Sequence, residues 1–248
     1  MLDLVVSGGV AVLTLCRPPV NAMSPQWVAR FHELLDGLQP RSDWRVLHMR
    51  SAQKIFCAGA DLKQVHDNFG SDIEAQLELG RSYQRLFQRI QDLDAVTLAE
   101  LGGTTLGGGL ELALACDLRI ASSRAKLGFP EVTLGLIPGA GGTQRLSWLC
   151  GRAVASRLIL TGEIISADEA HRIGVVQWCV DPAQIADEAA RIAARVAAHP
   201  RHATAGAKSA IFAAAQAGVD GFARETEVVR TCFESTATRE LVSAFLAR

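Results

Sequence analysis

Three short segments of this chain hold residue types that chemistry needs and that packing alone does not favour. In Leu106-Gly107-Gly108-Gly109-Leu110-Glu111-Leu112-Ala113-Leu114-Ala115-Cys116-Asp117, three glycines run straight into an apolar helical stretch. Glycines there cost backbone entropy, so they point to unusual φ or to close approach of a ligand. An N–H at such a helix start lies in the partial positive charge of the terminus and suits an oxyanion. Glu111 is the only charge before Asp117. Its leucine neighbours point to burial, which lifts a carboxyl pKa. The other reading is a first-turn acid that complements the helix dipole.

The second segment is Phe56-Cys57-Ala58-Gly59-Ala60-Asp61-Leu62-Lys63. Small residues after a strand let a ligand reach the backbone, and exposed N–H groups can hold a developing negative charge. A tight strand-to-helix turn explains the same residues. The third runs from Leu127 to Arg145, where Glu131 is again a lone acid in an apolar run and Pro138–Gly142 is a glycine-rich loop. Two isolated carboxylates, each beside a glycine-rich loop, fit proton transfer next to an oxyanion site. Spacing along the chain does not bring them together.

Other chemistries lack their residues. Gly108 stands where a phosphate-binding P-loop needs lysine, and no GxGxxG, GxSxG or HExxH occurs. His199 and His202 have no acid or thiol nearby in sequence and read as loop histidines, so no metal site is expected. Lysine plus arginine number 25 against 26 acids, for a net charge of −1, and no basic block appears. That excludes the electrostatic footprint of a nucleic-acid partner. No apolar run approaches the ~18 residues of a membrane span. The N-terminal stretch carries Asp3 and no basic region, unlike a signal peptide. Six cysteines without a CxxC pair read as reduced packing residues, and the cytoplasm is the expected location.

The elements that must position these segments follow from periodicity. Leu2–Val6 and Val10–Leu15 flank Ser7-Gly8-Gly9 as a hairpin, and Ser24-Pro25 caps a helix carrying Trp27, Phe31 and Leu35. Val46–Met49, Val96–Leu101 and Leu118–Ala121 read as strands, with helices over 73–91 and Leu110–Cys116. The C-terminal quarter reads as helices marked by Ile185–Val196, Val219–Phe233 and Leu241–Leu246. The expectation is an α/β core over residues 1–180 and a helical region over 181–248 in the same folding unit. At 248 residues the chain can bury a large core unaided.

The segments also occur in a recognisable order. Arg17-Pro18 with Val20-Asn21-Ala22-Met23-Ser24 is followed by CAGADLK, LGGGLELALACD, FPEVTLGLIPGAGGTQRL and LTGEIISADEAHRIGVV. Together they resemble the enoyl-CoA hydratase/isomerase (crotonase) superfamily, over roughly residues 4 to 246. The resemblance implies a ββα spiral of four turns, with C-terminal helices that build a homotrimer, commonly paired into a hexamer. It implies Ala60 and Gly108 as oxyanion-hole N–H donors and Glu111 and Glu131 as the paired acid/base carboxylates. Gly139 would help place the water, and Ala22, Ala58, Asp61, Leu62 and Lys63 would line the coenzyme A channel. His66–Gly80 would form a wall of the acyl pocket. No cofactor is implied, since coenzyme A enters as part of the acyl-CoA substrate.

The implied activity is hydration of a 2-enoyl-CoA. An enoyl-CoA isomerase is the nearest alternative, although such members often keep only the second carboxylate. Other acyl-CoA lyase or hydrolase chemistry of the superfamily, and a non-catalytic acyl-CoA-binding protein, are further alternatives. Two departures stand out: Gly102-Gly103 replaces the usual Asn-Gly, and Glu100 lies in a strand that is usually apolar. Glu100 is open to three readings: pore-facing, at an interface, or buried with a partner.

Overall fold

The first hairpin, β1 (Leu2–Ser7) and β2 (Gly9–Leu15), pairs antiparallel with Leu2 opposite Leu15. Gly8 sits at φ +57° in the turn, where a side chain would be strained. The computed structural model describes residues 1–67, 73–216 and 218–247. Part of His66–Gly80, residues 68–72, therefore lies outside the described residues.

Helix α1 (Pro25–Leu38) starts as its sequence signals, with Ser24 Oγ accepting from Trp27 N at 3.3 Å. Its buried stripe is Trp27, Val28, Phe31, Leu35 and Leu38. Then follow β3 (Trp44–Ser51), α2 (Leu62–Asp67), α3 (Ile73–Gln91), β4 (Val96–Leu101) and β5 (Thr105–Leu106). Helix α4 (Gly108–Leu114), β6 (Leu118–Ser122), β7 (Lys126–Gly128), a 3-10 turn (Pro130–Leu134) and α5 (Gly142–Thr161) come next. The chain continues through β8 (Ile164–Ser166), α6 (Ala167–Arg172), β9 (Trp178–Val180) and four helices. These are α7 (Ile185–Ala197), α8 (Arg201–Ala213), α9 (Gly221–Glu234) and α10 (Thr236–Leu246).

One sheet has the order β1-β2-β3-β4-β6-β9, parallel from β2 onward. A parallel sheet needs cover on both faces, and the strand residues divide accordingly. Val46, Leu98 and Ile120 face α7 through Ile185, Ala189 and Ile192. Their neighbours Leu47, Met49, Ala99, Leu101 and Ala121 face the main core with Trp27, Phe31, Phe56 and Phe87.

A second, shorter layer joins β5, β7 and β8, and parallel bridges Met23–Ala60 and Cys57–Thr105 extend it. Each of β2, β3, β4 and β6 therefore runs into a short extended piece of the second layer (Met23, Cys57–Ala60, β5 and β7) and then into helix or 3-10 turn. That is the four-turn ββα spiral implied by the resemblance. Because these pieces are parallel, their C-terminal ends lie on one side. That side receives Ala60, Gly107-Gly108 and the turn holding Glu131.

The C-terminal quarter departs from the sequence reading in one element. Arg201–Ala213 forms α8, a helix whose large apolar residues, Ile211 and Phe212, come only near its end and so show no helical period. A β-carbon on Gly206 would stand 2.5 Å from Val228 Cγ1, so the glycine permits close packing of α8 on α9. His202 is thus helical rather than in a loop, and its Nε2 pairs with Thr238 Oγ1 at 3.0 Å. Lys208 pins α8 to the body through Asp117 at 3.0 Å and the Ala95 carbonyl at 3.1 Å. Glu100 is the buried, paired acid: its Oε2 lies 2.8 Å from His48 Nε2 on the adjacent strand.

Candidate active site

Asn21 is the pivot of the first site loop. It is fully buried at φ +52°, a conformation that asparagine tolerates better than most residues. Its Oδ1 accepts from Arg17 N, and its Nδ2 donates to Ser51 Oγ and to the Phe56 carbonyl, all at 2.8 Å. Ala58 N then donates to Val20 O. Met23 N donates to Gly59 O and Asp61 N to Met23 O, leaving the Ala60 N–H between them uncommitted.

The second loop meets the first almost backbone to backbone. Gly59 has φ +96°, and a β-carbon there would stand 2.9 Å from Gly108 N and 3.2 Å from Leu106 O. A β-carbon on Gly108 would collide with the Met23 methyl and stand 3.5 Å from Ala60 N. Only glycine allows this approach. Gly107 N is committed to Gly128 O, and Leu110 N and Glu111 N both to Gly107 O. Neither Ala60 N nor Gly108 N has an acceptor among the described residues, and both residues line the same cavity. At the other end of α4, Arg119 caps the helix by donating to the Ala113 carbonyl at 3.2 Å and the Cys116 carbonyl at 2.5 Å.

The two acids also reach that cavity, from different elements. Glu111 is 3% exposed, in the first turn of α4, so both sequence readings of it hold at once. Its Oε1 accepts from Ala140 N at 2.7 Å and Gly142 N at 2.8 Å, at the start of α5. Burial pushes its pKa up, while the Gly142 and Ala140 N–H groups and the Arg145 charge pull it down. The glycine at 142 is required, since a β-carbon would stand 3.0 Å from Glu111 Oε1.

Glu131 enters on the 3-10 turn, which Gly135 closes at φ +73°. Its Oε2 is buried with no hydrogen-bond partner among the described residues. Burial lifts its pKa to about 7; its own backbone N–H opposes the rise, and the Glu111 charge adds to it. Two carboxylates of unequal support therefore share one cavity.

The cavity measures about 250 Å³ and is mostly apolar. It brings together Ala58, Ala60, Leu62, Gly108, Glu111, Glu131 and Gly139 from widely separated segments. It does not take in Ala22, Asp61 or Lys63. Arg17 explains two of these, because it binds the Ala22 carbonyl and pairs with Asp61 Oδ2 at 2.8 Å. Lys63 is exposed on α2. From the expected wall His66–Gly80 come Gln76, Leu79 and Gly80, and residues not singled out in the sequence complete the lining: Val65 and Tyr83 from α2 and α3, and Leu134, Leu136 and Ile137 from the third segment. Tyr83, the only tyrosine of the chain, donates to Met23 O at 3.0 Å. A phenol on the buried face of an amphipathic helix was the available signal.

Comparison with known proteins matches residues 6–248 to the family model "Enoyl-CoA hydratase/isomerase". The short-chain-enoyl-CoA hydratase of Clostridium acetobutylicum is 36% identical, over 97% of this chain and 92% of its own. The crotonyl-CoA hydratase of Syntrophomonas wolfei is also 36% identical, over 96% of this chain and 92% of its own. Among solved structures, Pseudomonas aeruginosa DspI superposes with a TM-score of 0.92 at 35% identity, over 99% of this chain and 94% of its own.

Proposed function

The chain belongs to the enoyl-CoA hydratase/isomerase family, and we propose that it is a hydratase that adds water reversibly to a 2-trans-enoyl-CoA, giving the 3-hydroxyacyl-CoA. One observation carries this reading: Glu111 and Glu131 both line the cavity that also holds two uncommitted backbone N–H groups. An isomerase needs only one such acid to move a proton along the acyl chain. Water addition uses two, one to deprotonate the water and one to protonate carbon.

In this mechanism the thioester oxygen lies between Ala60 N and Gly108 N. Those donors stabilise the enolate that forms as hydroxide adds to Cβ, and losing one such donor costs about 2.7–4 kcal/mol of transition-state stabilisation. In this reading the pair of acids enters the reaction sharing one proton. Glu111 is the better anion, with two N–H donors, the α5 N-terminus and Arg145 around it. Glu131, lacking such support, keeps the proton. Glu111 takes a proton from water as its oxygen bonds to Cβ, and Glu131 delivers its own to Cα on the same face. Gly139, at the cavity wall, helps place that water. Proton exchange with solvent then resets the pair. No cofactor is required, because the coenzyme A moiety arrives with the substrate.

Ala58 and Leu62 at the cavity, with Ala22, Asp61 and Lys63 beside them, would form the channel for the pantetheine arm. The exposed Phe222, Phe233 and Phe245 on α9 and α10 support self-association into a trimer or hexamer. Among the described residues no helix is long and apolar enough to cross a membrane, and we place the protein in the cytoplasm. The test is crotonyl-CoA with purified protein, following the conjugated-enoyl absorbance and identifying the product by mass. Gain of one water supports the reading. A shifted double bond without water uptake moves it to an isomerase.

A further inference from the structure

Arg145 is a buried cation, 8% exposed, that forms no salt bridge among the described residues. Its Nε donates to Gln91 Oε1 at 2.8 Å, its Nη2 to Gln88 Oε1 at 3.3 Å and its Nη1 to the Ala140 carbonyl at 3.1 Å. All three acceptors are neutral, an arrangement costly to build for folding alone. The guanidinium instead sits behind the loop that holds Glu111. Ala140 joins the two: its carbonyl accepts from Arg145, while its N–H donates to Glu111 Oε1 at 2.7 Å. Gly141 between the two donors has φ +108°, and a β-carbon there would collide with Arg145 Nη1. On the other side, Gln84 Nε2 holds the Gly139 carbonyl at 2.7 Å. Gln84, Gln88 and Gln91 share one face of α3, the helix whose Leu79 and Tyr83 line the cavity.

We infer that Arg145 is a positioning residue for the hydration, fixing the orientation and the charge of Glu111 through the Ala140 peptide and through its own field. The inference rests on the hydratase reading above. Acting on a carboxylate across a single peptide, a guanidinium favours the anion that must accept the proton of water. Facing Glu111 are Arg145 and, from the 3-10 turn, Glu131. Facing Arg145 are Glu111, Asp92 at the end of α3 and the buried thiol of Cys116. Among the described residues Arg145 is thus the one cation acting on Glu111, and Glu131 opposes it.

The experiment compares the full chain with Arg145→Gln, Arg145→Lys and Gln91→Leu. Crotonyl-CoA kinetics are measured across pH, alongside an infrared titration of the buried carboxyls assigned with Glu111→Gln. Arg145→Gln should lower kcat by about 30-fold, less than loss of the base itself, with KM within about threefold. The acidic limb of the rate profile and the infrared midpoint of Glu111 should both move up by about one pH unit. Arg145→Lys, which restores the charge, should return the limb but only part of the rate. If Arg145→Gln does not fold, Gln91→Leu should show the same shifts at smaller size. A limb and midpoint unmoved in every folded variant would overturn the inference. A parent inert towards crotonyl-CoA would instead sink the hydratase reading, and the infrared midpoints would still decide whether Arg145 sets the charge of Glu111.

Discussion

The carboxylate of Glu131 lies directly against Gly107: a β-carbon at residue 107 would stand 2.8 Å from Glu131 Oε1. Gly107 also adopts φ +52° and ψ −127°, outside the region open to L-residues. The same glycine therefore starts α4 and leaves room for the acid. Gly107→Ala should cost about 1–3 kcal/mol of stability in chemical denaturation, from backbone strain alone. It should also reduce kcat/KM by more than about 100-fold, because the displaced carboxylate no longer meets Cα.

The raised pKa of Glu131 makes stability depend on pH in a defined direction. Between the ordinary carboxyl value of 4.5 and about 7 the folded state holds a proton that the unfolded chain has released. Stability therefore falls as pH rises through that window. Glu131→Gln removes the effect and should make the protein more stable at pH 8, by up to about 3 kcal/mol, while leaving pH 4 nearly unchanged. Urea titrations of parent and variant at the two pH values check this.

His48 and Glu100 should behave as a buried pair with no part in the chemistry. Removing one partner, as in Glu100→Leu, should cost about 3–5 kcal/mol by stranding the other. The double variant His48→Leu with Glu100→Leu should recover much of that loss. Both should keep the parental kcat wherever they remain folded, measured by crotonyl-CoA turnover below the unfolding temperature.

The exposed apolar face of α9 and α10 gives a test of assembly. Phe222, Phe233 and Phe245 are each at least 74% exposed, too much apolar surface to leave in water without a partner. Phe233→Asp with Phe245→Asp should reduce the mass measured by light scattering to that of a single chain.

The sequence made the site loops legible because their glycines answer backbone demands that leave no other choice. Gly59, Gly107 and Gly108 stand where two loops of the chain touch, so the motif itself marks the contact. Glu111 and Glu131 stood out as lone acids in apolar runs, but their meeting depends on α4 and the 3-10 turn ending in one cavity. Helix α5 leaves little trace in the sequence, because it opens on Gly142 and is broken at Gly151, where φ is +81°. The His48–Glu100 pairing could not be read because it depends on the register of β3 against β4, with His48 opposite Leu98. Arg145 was visible only as part of a glycine-rich run; its role depends on Gln88 and Gln91, more than 50 residues earlier.

If Glu111 is the base of a hydration, replacing it with glutamine must slow the reaction while the fold stays intact. Glu111→Gln keeps an oxygen for the Ala140 and Gly142 N–H groups, so the loop should hold and the fold should survive. Parent and variant are given crotonyl-CoA at pH 7, with water uptake followed by absorbance and mass. The parent should form the 3-hydroxyacyl product, and the variant, still binding the thioester, should be slower by about 100- to 10,000-fold. Equal rates in a variant of unchanged fold would contradict Glu111 as the base.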